Sequence, residues 1–145
     1  MTNRQYPSRP WVSAFILMFN KTKDKILLTK RAKPPKKDYW FPPGGAINLG
    51  ETVEAGIKRE VLEETGLTIS TLQFEQYLDV ILPDIKGKTE YHYVEMVFSS
   101  DSYEGKIKAG DDALDVRWIP LQDIELNRIP VPKELILVLK WLNKN

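Results

Sequence analysis

A chain of 145 residues with 21 Lys+Arg against 20 Asp+Glu has the length of a single domain, expected to span 1–145, and a net charge that selects no partner. That balance excludes the strongly basic footprint of a non-specific nucleic-acid binder, so no nucleic-acid partner is expected and any anionic ligand must be met by local charge. The absence of cysteine excludes disulfides, thiolate catalysis and finger-type zinc, in keeping with a cytoplasmic setting.

The most apolar stretch is Trp11 to Phe19, preceded by Arg4 and Arg9. Its length suits a secretory leader, but Asn20-Lys21-Thr22-Lys23 offers no small-residue cleavage site, and the run is far short of the ~20 residues that cross a bilayer. It reads as a buried strand, and no membrane partner is expected. Lys25 to Lys30 is a second strand, joined to the first as a hairpin through Asn20 to Asp24. Lys30 to Lys37 is a basic loop around Pro34-Pro35, read as solvated except for Arg31. It leads through Tyr39-Trp40-Phe41 into a turn, Pro42-Pro43-Gly44-Gly45, whose backbone is free to approach a ligand.

The period then becomes helical from Thr52 to Thr65, with Thr52 as N-cap, Glu54 in the first turn and Gly66 as C-terminal cap. Val61 and Ile57 flank the face that carries Glu60, Glu63 and Glu64, while Leu62 and Ala55 lie nearly opposite it, which suggests cover on more than one side. Gln73 to Leu82, Glu90 to Phe98 and Asp115 to Ile119 have strand composition, and Glu134 to Leu142 is an amphipathic helix after Pro132. Mixed strands with two helices predict an α/β sandwich.

On the first helix, spacings of three and four put Glu60, Glu63 and Glu64 on one face. Glu60 and Glu64 repel at i,i+4 by about 0.2 to 0.5 kcal/mol, with no lysine four residues on to relieve them. All three also lie toward the C-terminal half, the unfavourable end of the helix dipole for anions. A divalent cation reverses both effects, and an oxygen-only donor set without cysteine selects Mg²⁺ or Mn²⁺. A metal held by carboxylates leaves positions open for water and phosphate oxygens, so a phosphorus–oxygen substrate follows.

Gly45, five residues, Glu51, seven residues, then Arg59-Glu60-Val61-Leu62-Glu63-Glu64-Thr65-Gly66-Leu67 resembles a complete Nudix box, with no departure at any specified position. The similarity extends to Gly110-Asp111-Asp112-Ala113 and Arg117-Trp118. The resemblance implies an α/β/α sandwich with a mixed sheet and a catalytic loop-helix-loop. It also implies Mg²⁺-dependent hydrolysis, with Mn²⁺ as a substitute, of a nucleoside diphosphate linked to another moiety. By the same resemblance, Glu60, Glu64 and the Gly45 carbonyl are metal ligands, and Glu63 is a ligand or the base. Arg59 holds Glu51, a task for which a guanidinium fork is suited and lysine is not. Loop candidates for the base are Glu104, Asp111 and Asp112. Arg31, Trp40 and Gly44 are assigned to substrate, with Tyr39 and Trp118 as further stacking candidates and His92 as structural. The family also allows a homodimer.

Pro83, sixteen residues beyond Leu67, resembles the marker of ADP-ribose pyrophosphatases, as does the approach Lys33-Pro34-Pro35-Lys36 ahead of Tyr39-Trp40. A dinucleoside tetraphosphate hydrolase is disfavoured because Pro43-Gly44-Gly45-Ala46 stands where that group carries a Pro-Lys-Gly-His type turn. Leu27 to Arg31 is similar only to the start of a coenzyme A pyrophosphatase signature. The expected small-molecule substrate is therefore ADP-ribose or a related nucleotide sugar. A sanitising triphosphate pyrophosphatase and a non-catalytic metabolite sensor are the alternatives.

Overall fold

Trp11–Met18 (β1) is apolar on both faces because both of its edges and both of its faces are covered. The structure, a computed structural model, describes residues 4–110 and 113–144. After β1 come Lys25–Arg31 (β2), Trp40–Phe41 (β3), Gly44–Ala46 (β4), Val53–Thr65 (α1) and Thr68–Ile69 (β5). The chain continues with Gln73–Pro83 (β6), Thr89–Ser100 (β7), Tyr103–Glu104 (β8), Ala113–Pro120 (β9), Leu121–Glu125 (α2) and Lys133–Lys144 (α3).

The larger sheet runs β4-β1-β7-β6, with β1 parallel to β7 and antiparallel to β4, and a second sheet runs β3-β2-β9. The expected hairpin between β1 and β2 does not form. With β4 and β7 on its two edges, β1 has none left for β2, and an antiparallel bridge joins Phe19, just past the end of β1, to Ile26. The turn between them is held by Asn20, whose side-chain oxygen accepts from Lys25 N at 2.9 Å. A second correction concerns Gly44-Gly45, expected as a turn: they lie in β4, opposite Phe15 and Ala14. A Cβ on Gly44 would meet Ala14 O at 2.0 Å, so this pairing requires glycine.

One core lies between α1 and the strands, where Ala14, Ile16 and Met18 meet Ile57 and Val61. The other lies on the opposite side, where Leu17, Ile26 and Val97 meet Ile124 of α2 and Leu135 and Val138 of α3. The result is an α/β/α sandwich with a mixed sheet. α1 begins at its expected cap, Thr52 Oγ1 accepting from Ala55 N at 3.1 Å, and ends at Gly66 with φ 80°. It buries one face only. Leu62, expected under cover, is 53% exposed. The short pieces β5, β8 and α2 carry no periodic signal long enough to read. Among the described residues no helix is long and apolar enough to cross a membrane.

Candidate active site

The loop before α1 and the helix itself are joined by one guanidinium. Arg59 Nε donates to Glu51 Oε2 and Arg59 Nη2 to Glu51 Oε1, each at 2.8 Å, while Nη2 also reaches Ala46 O at 3.2 Å. Its remaining nitrogen, Nη1, donates to Glu60 Oε1 at 2.9 Å and Glu63 Oε2 at 3.2 Å. Arg59 thus bonds through all three nitrogens, and its charge relieves the acidic face that lysine at i+4 does not. The fork holds the Glu51 carboxyl down to about 2, helped by the Asn48 N–H. Glu60 goes the other way: burial pushes its carboxyl above the ordinary value against the pull of Arg59.

The carboxylates of α1 lie against β4. Gly44 N donates to Glu64 Oε1 at 2.9 Å, and a Cβ on Gly45 would sit 2.9 Å from Glu60 Oε2. Gly44, Gly45, Glu60, Glu63 and Glu64 form one wall of an open cavity. The same cavity is also lined by the basic side chains of Arg4, Lys30, Arg31 and Lys33. Carboxylates and a positive rim around one space suit a metal-bridged phosphate chain. At Gly44, Gly45 and Phe41 the space runs on into an apolar cavity over the outer face of the larger sheet, closed by α3.

The family model of the NUDIX domain matches residues 9–142. The chain belongs to the Nudix family. An ADP-ribose pyrophosphatase of Methanocaldococcus jannaschii is 33% identical over 120 residues, 83% of this chain and 69% of the relative. An oxidized purine nucleoside triphosphate hydrolase of Danio rerio is 31% identical over 105 residues, 72% of this chain and 64% of the relative. A bifunctional NMN adenylyltransferase/ADP ribose pyrophosphatase from Francisella tularensis, solved as a crystal structure, is 26% identical with a TM-score of 0.71, covering 96% of this chain and 42% of its own. The protein is a Nudix hydrolase, acting on phosphoanhydride bonds, and Nudix enzymes bind nucleotides and generally use divalent metal ions.

Within this Nudix site the donor set fits such an ion. Glu60, Glu63, Glu64 and the backbone at Gly45 supply only oxygen, and the missing Cβ at Gly45 keeps its backbone open toward Glu60. In the present arrangement no three acidic or histidine side chains among the described residues are gathered tightly enough to clasp a metal. Arg59 engages Glu60 and Glu63, and the Gly44 N–H engages Glu64.

Several expected contacts fall elsewhere. Trp40, assigned to substrate, is a core residue: β3 pairs it with Lys30, its N–H donates to Pro130 O at 2.9 Å, and its ring packs with Leu17, Ile26 and Leu28. Trp118 packs on Tyr103 with ring centroids 5.5 Å apart. Tyr39 lies beneath the Lys36 ammonium. Glu104 lines a different groove, beside β5 and α3, away from the carboxylates of α1. Asp111 and Asp112 lie outside the described residues. Arg31 does line the cavity, its guanidinium over Phe41 and bonded to the Lys33 carbonyl at 2.8 Å. Lys30 and Lys33, expected to face solvent, line it too.

Arg4, Ser13 and Glu95 line the two cavities without being expected there. Arg4 precedes any periodic element, and Ser13 is one small residue in an apolar run. Glu95 did carry a signal: in the alternation Tyr93, Glu95, Val97 it is a charge where the buried face of a strand calls for an apolar residue.

Proposed function

We propose that this Nudix hydrolase is a Mg²⁺-dependent pyrophosphohydrolase that cleaves ADP-ribose or a related nucleotide sugar into AMP and a sugar phosphate, with Mn²⁺ able to substitute. The observation that carries this reading is the two-ended cavity, in which the carboxylates of α1 and several basic side chains line one space that continues into an apolar pocket. The name of the Methanocaldococcus jannaschii relative agrees with it. The whole chain is taken as one catalytic domain.

In this reading Glu60, Glu64 and the Gly45 carbonyl would hold the ion, which would supply positive charge for the phosphate oxygens and for activating water. Glu63, the more exposed partner of Arg59, takes the proton from the attacking water. As water adds to phosphorus, the bridging anhydride bond breaks and its oxygen leaves on the second phosphate. Arg31 and Lys33 meet the negative charge of the phosphates, and Gly44 lets the phosphate chain approach the backbone. Arg59 and Glu51 keep loop and helix in register, so that the acids need no reorganisation when substrate binds.

The name of the zebrafish relative favours a second reading, hydrolysis of an oxidised purine triphosphate. A panel with Mg²⁺ separates the two. Release of AMP from ADP-ribose at a higher kcat/KM than any triphosphate supports the first. Pyrophosphate release from a triphosphate as the best reaction supports the second, and no turnover of any nucleotide leaves a metabolite sensor.

A further inference from the structure

The apolar cavity contains an unpaired polar corner. On the sheet face turned away from α1, β1 presents Ser13, Phe15 and Leu17, β7 presents Tyr93, Glu95 and Val97, and β6 presents Leu78 and Val80. Ser13 and Glu95 are direct partners across the parallel β1–β7 pair. Ser13 is 2% exposed, and its Oγ has no hydrogen-bond partner. Glu95 is half-buried and lines the same cavity, with no hydrogen bond to its carboxylate among the described residues. Buried polar groups are nearly always satisfied, so the unpartnered Ser13 hydroxyl beside a half-buried carboxyl lining the same cavity marks a place where a ligand supplies the partners.

We propose that Ser13 and Glu95 are specificity-determining residues that read the amino edge of an adenine held in the apolar cavity, on the sheet face turned away from α1. This inference rests on the pyrophosphohydrolase reading and adds which base is selected. Adenine offers an N–H donor on its exocyclic nitrogen next to a ring-nitrogen acceptor. A neutral carboxyl group matches that edge with its carbonyl oxygen and its O–H, and the Ser13 hydroxyl adapts as donor or acceptor beside it. Phe15 and Phe41 line the junction of the two cavities, 6.5 Å apart, where the flat faces of a nucleotide pass.

Burial favours the neutral form. Burial and Glu134 of α3 push the Glu95 carboxyl up to about 7, against Arg31 of β2 and Lys36 of the following loop; Arg4 and Tyr93 complete the titratable lining. Ionised, Glu95 offers two acceptors and no donor, and so fits the adenine edge poorly.

The test is equilibrium binding of AMP and of 1,N6-etheno-AMP, in which the amino edge is bridged by carbon, to the full chain with Mg²⁺ present. Wild type is expected to prefer AMP by at least ~10-fold, as sites built around hydrogen bonds do. Its AMP affinity should fall ~10-fold as the pH rises from about 6 to about 8.5, across the Glu95 transition. Glu95→Gln keeps one acceptor and gains a donor, so it should retain the preference and lose the pH dependence. Glu95→Leu should bind the two nucleotides equally, and Ser13→Ala should weaken AMP alone. Equal binding of both nucleotides by wild type, or an unchanged preference in Glu95→Leu, overturns the assignment. ADP-ribose cleavage without edge discrimination would remove this inference and leave the function standing. Edge discrimination without ADP-ribose cleavage would do the reverse.

Discussion

Arg59 meets Glu51 as a two-pronged fork, with Nε on Oε2 and Nη2 on Oε1, both at 2.8 Å. The same guanidinium reaches Glu60 and Glu63, so one side chain fixes the loop, the helix and two of the three acids. Arg59→Lys keeps the charge and loses the fork. Stability should fall by about 1 to 2 kcal/mol in urea titration, and kcat should fall by about 10- to 100-fold, because misplaced acids cost more than a weakened contact. Normal turnover with a lowered melting temperature would contradict the positioning role.

Gly56 tests the same contact from the helix side. In an ordinary helix Gly→Ala stabilises by ~0.5 to 1 kcal/mol. Here the new Cβ would lie 2.6 Å from Ile47 Cδ1 and 2.9 Å from Glu51 Oε1. Ile47 has room to swing, but Glu51 is pinned by Arg59, so the sign should reverse. Gly56→Ala is expected to destabilise by about 1 to 3 kcal/mol, with reduced activity. A rise in the urea midpoint would show that Glu51 is free to move.

Two carboxyl groups give the stability a predictable pH profile. Glu51, held at about 2 by the Arg59 fork against an ordinary 4.5, binds fewer protons folded than unfolded between those values. Its contribution is present above pH 4.5 and is lost as the pH falls toward 2. Glu95, raised to about 7, has the opposite sign: its contribution is full below 4.5 and is lost as the pH rises through 7. Stability measured by denaturation should therefore decline by about 2 to 3 kcal/mol from Glu95 across the upper window. Glu95→Gln should flatten the upper slope and Glu51→Gln the lower one. An unchanged profile in either variant would remove that group from the account.

Glu64→Gln separates folding from chemistry. The glutamine oxygen still accepts from Gly44 N, a bond of 2.9 Å in the native protein, so the junction of β4 with α1 should survive. Turnover should drop by at least ~100-fold, the scale of disturbing a metal site, with little change in melting temperature. Substantial activity at ordinary Mg²⁺ would end the assignment of Glu64 as a ligand.

The box was legible because its chemistry is local. Glu60, Glu63 and Glu64 share a face by helical arithmetic, and Thr52 and Gly66 announce the ends of α1 by capping and by positive φ. What failed depends on distant partners. Nothing in Trp11–Phe19 says that β7, eighty residues on, takes the edge expected for β2. Nothing beside Trp40 says that Pro130 and the second core claim it. Arg59 makes more contacts than spacing alone implies. Its partner at i+4, Glu63, follows from spacing, whereas the reach to Ala46 requires the fold.

Calorimetric titration of Mn²⁺ into wild type and Glu64→Gln, each with and without AMP, tests most directly whether the acidic face of α1 is a cation site. Saturable binding by wild type, weakened at least ~10-fold by the substitution, is the predicted result. No saturable binding by wild type under either condition, or equal binding by both proteins, would contradict it.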